Sequence, residues 1–526
     1  MIFDSIVVGA GAAGLTAAAY LAKYGHSVLL CEKEAYCGGL INSFTRDGFT
    51  FDGGIRALED AGVFFTMLRH LGVEIDFVKN HVSMGIEDQI FNIETEASID
   101  DYAAVLKKLY PESADEIEVI TKDLHLISRA MDIQYGINNP LFLDPKTDGK
   151  YFATKVFPWL IKYALNVGKV QSKAKPVIPY LRQFTSNQAL LDIITQHFFA
   201  ETPAYFALSY FRIFQEYHYP KGGTGVFIEK MTALIKEYGG VIRTNTPVQQ
   251  VDPIEKTVTT AEGEKIAYRH LLWTADQKRL YNSITLDSQK QPGLSAAIDE
   301  RKDFLADKTG NDSILSLFLT TDLDPSFFKS IATGHVFYTP SRVGQSKAGA
   351  LPLSGTRSEI EDWLQKYLSL TTYEISIPAL RDPDLAPPGK TGLIISILFD
   401  FNLTKRIADQ GWYDEFKQFA ARVIVETLDR TLYPGLSAAL TSAFSATPLT
   451  LQEITGATEG AITGWSFRNN PVPAEYRLAR IANAVNTIVP DISQAGQWTY
   501  SPSGLPVSLI TGKVAADKIH KLLSKK

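Results

Sequence analysis

Three glycines and an acid near the amino end have the types and spacing to do chemistry: Gly9-x-Gly11-x-x-Gly14 and then Glu32. In such a triplet Gly9 permits a tight turn, Gly11 lets backbone approach a pyrophosphate, and Gly14 allows a helix to pack closely on the sheet. A helix starting here presents free amide donors and a favourable field to phosphate charge. Glu32 is placed to accept hydrogen bonds from a ribose 2′-hydroxyl, and its charge disfavours the 2′-phosphate of NADP. Ala12 and Ala13, inside the triplet, and Lys33, beside the acid, complete this candidate set. The elements that must hold it follow from pattern. Ile6-Val7-Val8 reads as a buried strand, an alanine-rich helix runs on until Gly25 can end it, and Ser27 to Cys31 reads as a second strand. The segment is apolar enough to suggest a signal peptide, but it has no positive n-region and Lys23 interrupts it. A nucleotide cradle is the expectation.

The chain has 526 residues, more than the roughly 250–300 over which one core usually grows, so cooperating domains are expected. With 45% apolar and 21% charged residues and a net charge of −6, it has no general basic field for nucleic acid. Cys31 and Cys37 are the only cysteines, which is no disulfide framework and no metal site; a reducing, cytoplasmic setting is the corresponding expectation.

The stretch "EKEAYCGGLINSFTRDGFTFDGG" resembles the second FAD motif of the flavoprotein superfamily that includes amine oxidases, protoporphyrinogen oxidase and carotenoid desaturases. "TPLTLQEITGATEGAITGW" and "QAGQWTYSPSGLPVSLITGKVAADKI" are similar to the phytoene desaturase and carotenoid isomerase family, which also contains retinol saturases, and the likeness spans nearly the whole chain. The resemblance implies FAD. It implies that Gly38, Gly39 and Leu40 run beside diphosphate and flavin, and that Gly53 and Gly54, after Asp52, return the chain toward the isoalloxazine. Val248 would contact the adenine end, Thr274 and Ala275 would lie on the cofactor side, and Gly496 would approach the ribityl chain. Gly504, Leu505 and Pro506 would open a last helix aimed at the flavin pyrimidine ring. Pro506 suits a first helical turn, where its missing N–H costs little, and free amides there stabilise negative charge on a reduced ring. Where many relatives place an acid after the Gly496 position, this chain has Gln497, which hydrogen-bonds without charge, followed by Trp498 and Tyr500. Arg56 and Tyr500 are the candidate catalytic residues, Arg56 for electrostatics rather than proton transfer.

The expected fold is α/β: a Rossmann-type FAD-binding domain assembled from 1–75, 221–285 and 461–526, interleaved with an α+β substrate domain from 76–220 and 286–460. Residues 56–110 read as helices and connections, and 120–220 as a helical lid. Between 151 and 182 six basic residues and no acid occur, and Lys155, Lys162 and Lys169 recur every seven residues, one face of a helix. That face would either rest on an anionic membrane or be a solvated lid. "SILSLFLTTD", "IATGHVFYTP", "TTYEISIPAL" and "TGLIISILFDFN" read as strands, and 411–432 as a long helix. No second glycine triplet follows a strand, which leaves oxygen, a quinone or another carrier as electron partner. The expected activity is FAD-dependent desaturation or saturation of a long hydrophobic polyene or isoprenoid. Polyene isomerisation, amine or porphyrinogen oxidation, and a non-catalytic lipid escort stand as alternatives.

Overall fold

Two seven-stranded sheets carry the molecule; the computed structural model describes residues 2–171 and 173–525, less the side chains of 134, 135 and 167–171. In the first sheet Ile2–Val8 lies between Val28–Cys31 and Lys265–Trp273, and Val241–Arg243 and Ile492–Gln494 flank them, all parallel. A hairpin of Val248–Asp252 and Thr257–Thr260 pairs antiparallel with the start of Lys265–Trp273. Both faces are covered: Val7 enters one core, Ile6 and Val8 the other. Burial on both sides is why these strands read as unbroken apolar runs rather than alternating ones.

The alanine-rich segment forms the helix Ala12–Lys23, buried from Ala13 through Ala22. Small side chains let another helix come close, and Leu505–Leu523 takes that place. Ala13 lies against Gly512, whose added Cβ would sit 2.6 Å from the Ala13 carbonyl oxygen, while Tyr24 meets Asp517 and His520. The pairs ascend together in both helices, so the two are parallel and their N-termini open at the same end of the sheet. From the Ala13–Gly512 contact the second helix reaches about 9 Å further forward than the first, at 1.5 Å rise per residue.

The second sheet has the order Leu440–Ala446, Ser313–Thr321, Thr391–Phe399, Tyr373–Ser376, His335–Thr339, Val82–Ile86, Gln89–Ile93. The four strands expected between 313 and 399 are all in it. Four more strands lie where helices and connections were expected: Val82–Ile86 and Gln89–Ile93 form a hairpin in this sheet, and Phe77–Lys79 and Leu58–Glu59 form a small sheet with Tyr217–Pro220. Their shortness and mixed composition hide a period of two, and long-range pairing with His335–Thr339 decides the outcome. One face of the large sheet packs on Arg357–Leu370 and Tyr413–Thr431 through Leu317, Ile375, Ile395 and Val336. The other face meets the segment 49–56: Phe318 and Ile394 pack on Phe49 and Phe51, and Ser316 and Ser396 accept from Arg56.

Residues 98–214 are mainly helical, and Ile99, Leu106, Ile117, Leu124, Leu190 and Phe211 share a core with Val82, Met84 and Ile86. The basic stretch departs from one regular helix. Gly149–Tyr151 passes into a π-helical segment, Phe152–Val156, before Phe157–Gln171, so the turn carrying Lys155 lacks the regular period that the seven-residue spacing assumed. The side chain of Lys169 lies outside the described residues.

Candidate functional site

The turn after the first strand is shaped by its glycines. Gly9 has φ +100°, and a Cβ on Gly14 would fall 1.9 Å from the Gly9 carbonyl oxygen, so neither accepts a side chain in place. Thr274 ties this turn to the neighbouring strand: its Oγ1 donates to the carbonyls of Val8 at 2.9 Å and Gly9 at 2.8 Å. Gly11 stands at the N-cap of the helix with no side-chain cap, and a Cβ there would meet nothing within 4 Å. Beyond it is open space; Ala12 and Ala13 form the first turn, and Ala13 is buried there. Glu32, at the end of the second strand, accepts from Ala10 N at 2.8 Å and Glu34 N at 3.0 Å. These bonds fix the carboxylate and leave lone pairs for a diol. Lys33 points elsewhere, to Glu34 and to the Glu453 carbonyl at 2.7 Å. Val248 opens the strand after Thr246, whose N–H donates to the Glu32 carbonyl at 2.8 Å, which sets it at the acid's end of the groove.

The second glycine segment lies against the first. Gly38 donates to the Ala10 carbonyl at 2.8 Å, and a Cβ on Gly39 would be 3.5 Å from Gly11 Cα. Gly53 donates to the Asn42 carbonyl at 2.9 Å and Ile55 to that of Leu40 at 3.0 Å, so 38–42 and 53–55 run as one ribbon. Gly54 is packed against it, with a Cβ 2.0 Å from the Leu40 carbonyl oxygen. From the far end of the chain, Gly496 donates to Thr511 Oγ1 at 3.0 Å and faces Ala13. Gly504 precedes the uncapped N-terminus of the last helix, where Leu505 and Pro506 form the first turn and a Cβ on Gly504 would meet only Pro506, at 3.9 Å. Ala275 packs in the core behind Trp273, beside Trp465 and Trp498.

This cradle fits an FAD-type dinucleotide. Two parallel helices present uncapped amides at one end, the nearer set for a diphosphate and the farther set about 9 Å on, for a ring. Beside Gly53, the buried Asn42 Oδ1 and Arg56 Nε lack hydrogen-bond partners. Gln497 is half-buried on the same loop as Gly496. The aromatic residues after it pack the protein: Trp498 lies 4.8 Å edge-on from Trp465, and the Tyr500 hydroxyl donates to the Tyr476 carbonyl at 2.9 Å. Burial raises the Tyr500 phenol well above its ordinary range.

Arg56 is 3% exposed and lies between the ribbon and the large sheet. It donates to the carbonyls of Asp52 and Gly54, to Ser396 Oγ at 2.9 Å and to Ser316 Oγ at 3.4 Å. Strand register explains its partners: Ser316 pairs with Ser396, Ser396 with Glu374, and Glu374 with Phe337, a row across four strands on one face. The adjacent row runs Phe444, Phe318, Ile394, Ser376, His335. The face is polar at its centre and apolar on one flank, where Phe44, Phe49, Phe51, Phe318 and Phe444 cluster.

Four residues at that polar centre, Asn80, His335, Glu374 and Arg381, escaped the sequence reading. Arg381 donates to the Arg56 carbonyl at 2.8 Å and to Asn80 Oδ1 at 3.0 Å, and its guanidinium lies 3.8 Å over the Tyr219 ring. With Oδ1 taken, Asn80 Nδ2 donates to His335 Nδ1 at 2.9 Å, which makes Nε2 the protonated nitrogen, donating to Glu374 Oε1 at 3.0 Å. Burial pushes the His335 pKa down and the hydrogen bond to Glu374 only partly offsets it. Burial pushes the Glu374 carboxyl up, but His335, Arg56 and Arg381 outweigh that and hold it below the usual carboxylate range. The available signal was a lone glutamate amid apolar residues in "TTYEISIPAL", two positions before a serine on the same face.

Comparison with known proteins agrees with this geometry. The NAD(P)-binding Rossmann-like domain family matches residues 7–71. A 4,4'-diapophytoene desaturase (4,4'-diaponeurosporene-forming) of Staphylococcus aureus is 23% identical, over 98% of each chain. An inactive all-trans-retinol 13,14-reductase of Danio rerio is 25% identical over 47% of this chain and 42% of its own length. Among solved structures, an oxidoreductase from Methanosarcina mazei superposes with TM-score 0.62 at 14% identity, covering 98% of this chain and 99% of its own. Cyclohexylamine oxidase from Brevibacterium oxydans gives 0.57 at 14% identity, covering all of both chains. The chain is thus similar over 98% of its length to a diapophytoene desaturase, matches an NAD(P)-binding Rossmann-like family over residues 7–71, and shares its fold with amine oxidases.

Proposed function

We propose that the protein is an FAD-dependent oxidoreductase acting on carbon–carbon bonds of a long hydrophobic polyene or isoprenoid. The observation that carries the reading is the pair of parallel, uncapped helix N-termini beside a glycine ribbon that Arg56 ties to a sheet face polar at its centre and apolar on one flank. Similarity to a diapophytoene desaturase over 98% of the chain supports the substrate class, as does partial similarity to an inactive retinol reductase. The glycines 9, 11, 14, 38, 39, 53, 54, 496 and 504, with Ala12, Ala13, Glu32, Leu40, Val248, Thr274, Ala275, Gln497, Leu505 and Pro506, would hold the dinucleotide. When bound, a flavin supplies two-electron hydride chemistry. The chain's own residues orient the substrate, with the phenylalanine cluster excluding water and Arg56 holding the Gly53-Gly54 ribbon to the sheet. In the desaturating direction oxygen or a quinone would take up the electrons, and in the saturating direction a reduced carrier would supply them.

The helix Phe157–Gln171 supports delivery of such a substrate from an anionic membrane surface. Phe157, Ile161 and Leu165 are 64%, 66% and 75% exposed and Leu160 is also exposed, with exposed Lys155 and Lys162 close by. Among the described residues no helix is long and apolar enough to cross a membrane.

The test is to purify the protein, identify bound flavin by absorbance and bound lipid by mass spectrometry, and mix it anaerobically with conjugated and partly saturated isoprenoids. Flavin reduction or reoxidation with a matching shift of the polyene spectrum is expected. Reduction by aliphatic amines, with polyenes inert, would overturn the reading in favour of amine oxidation.

A further inference from the structure

The polar centre of the sheet face has more order than an ion pair needs for stability. Arg381, Asn80, His335 and Glu374 form a chain in which each hydrogen bond fixes the donor and acceptor of the next, and it ends on one carboxylate oxygen. Glu374 stands on the middle strand of the seven, yet its side chain keeps 33% of its surface accessible while His335 keeps 1%. A side chain at the centre of a sheet, on the face where Arg56 and the ribbon lie, owes such accessibility to an internal space.

The neighbouring groups are committed elsewhere. Asp52 accepts from Ser43 and Thr224 on one oxygen and from the Tyr219 hydroxyl on the other. Arg56 and Arg381 have no acceptor atom. Both nitrogens of His335 are in use. Two half-buried rings lie against His335: Tyr217 stacks on it at 5.8 Å, and Phe337 lies 5.3 Å from it.

We propose that Glu374 is the proton-transfer residue of the site, its Oε1 held by His335 and its Oε2 facing the space between the sheet and the Gly53–Arg56 segment. The proposal rests on the reading of the protein as an oxidoreductase of carbon–carbon bonds. In the desaturating direction, one substrate carbon gives up hydrogen with its electron pair to a flavin-class hydride acceptor, and the adjacent carbon gives a proton to Glu374. The electron pair left by that proton becomes the second bond of the alkene. Saturation reverses both transfers. His335 is a positioning residue: it donates from Nε2 and keeps the carboxylate both aimed and ionised. The charged and titratable groups that face Glu374 are His335, Arg56, Arg381 and Tyr210, with Asp52 and Tyr219 behind the arginines.

The experiment compares Glu374→Gln and His335→Gln in the flavin-loaded enzyme. Glu374→Gln is expected to leave flavin absorbance and polyene Kd within threefold of wild type and to slow single-turnover flavin reduction by about 100-fold or more. His335→Gln is expected to slow it about tenfold and to move the acid limb of the rate upward, toward the ordinary glutamate range. A readout without turnover is the infrared carboxylate band of substrate-free protein, taken as wild type minus Glu374→Gln. It should titrate below the ordinary value of 4.5 and move up in His335→Gln. The proposal is overturned if wild type reacts and Glu374→Gln reacts within threefold of it, or if the band shows Glu374 protonated at neutral pH. A wild type inert toward every polyene sinks the functional reading and this role with it; an active wild type with an unaffected variant sinks the role alone.

Discussion

The nucleotide cradle and the sheet face opposite it shape their chemistry by opposed means. The cradle works with backbone: free amides at two helix starts, carbonyls bonded to neighbouring turns, and a single carboxylate, Glu32, tied by two N–H donors. The sheet face works with charged side chains, Arg56, Arg381 and Glu374, set among hydroxyls and a neutral histidine. A site made from backbone fails when something is added, because a side chain takes the room of a neighbouring turn, as at Gly14, or of the ligand, as at Gly11. A site made from side chains fails when something is removed, because a buried partner is left uncompensated.

The largest expected effect breaks the cradle by addition, and two glycines separate fold from binding. On Gly14 a Cβ would stand 1.9 Å from a backbone oxygen, so Gly14→Ala must displace the turn; a melting temperature several degrees lower and no bound flavin are expected. On Gly11 a Cβ meets only open space. Gly11→Leu should therefore melt within about 2 °C of the wild-type apoprotein, since nothing in the fold is crowded, while flavin occupancy falls to background. Absorbance and thermal melts check both. Full flavin in Gly11→Leu would show that the open space is not the cofactor's.

Removal should break the sheet face. Arg56→Met leaves the Asp52 and Gly54 carbonyls without this donor, removes its bonds to the Ser316–Ser396 pair, and takes a positive charge from beside Glu374. Losing one partner from a buried charge network costs about 3–5 kcal/mol, readable in urea unfolding. Arg56→Lys keeps the charge but not the fork and should recover only part of the loss. A loss within 1 kcal/mol for Arg56→Met would mean that the network is solvated and that the contrast with the cradle is overdrawn.

The two regions were also unequally legible in the sequence, for the same physical reason. A backbone site must be written in glycines, and Gly9, Gly11, Gly14, Gly38 and Gly39 stand close together in the chain, so spacing alone discloses them. Glu374, His335, Asn80 and Arg381 come from separate strands and loops and meet only through register: His335 pairs with Ser376, and Glu374 with Ser396. Nothing local marks such a meeting, and the hairpin at 82–93, on which the edge of that sheet is built, was itself read as helix and connection. Tyr500 shows the converse. Its position near the last helix was visible, but that its hydroxyl is bound to the Tyr476 carbonyl depended on a distant loop.

A third surface sharpens the contrast from below, where charge is neither backbone-borne nor buried. Lys155 and Lys162 are exposed, as are Phe157, Leu160, Ile161 and Leu165. Each lysine near an anionic lipid surface contributes about 1 kcal/mol, so neutralising both as Lys155→Gln and Lys162→Gln should weaken binding to phosphatidylserine vesicles by roughly 30-fold at low ionic strength. The loss should shrink as salt screens the charges over a Debye length of about 10 Å at 0.1 M. Leu165→Ser should weaken binding to neutral and anionic vesicles alike, because its contribution is apolar area rather than charge. Neither change should alter melting, since these side chains contact solvent, and this separates surface docking from the two inner sites. Binding unchanged in both variants, at low and high salt, would make the helix an ordinary solvated lid.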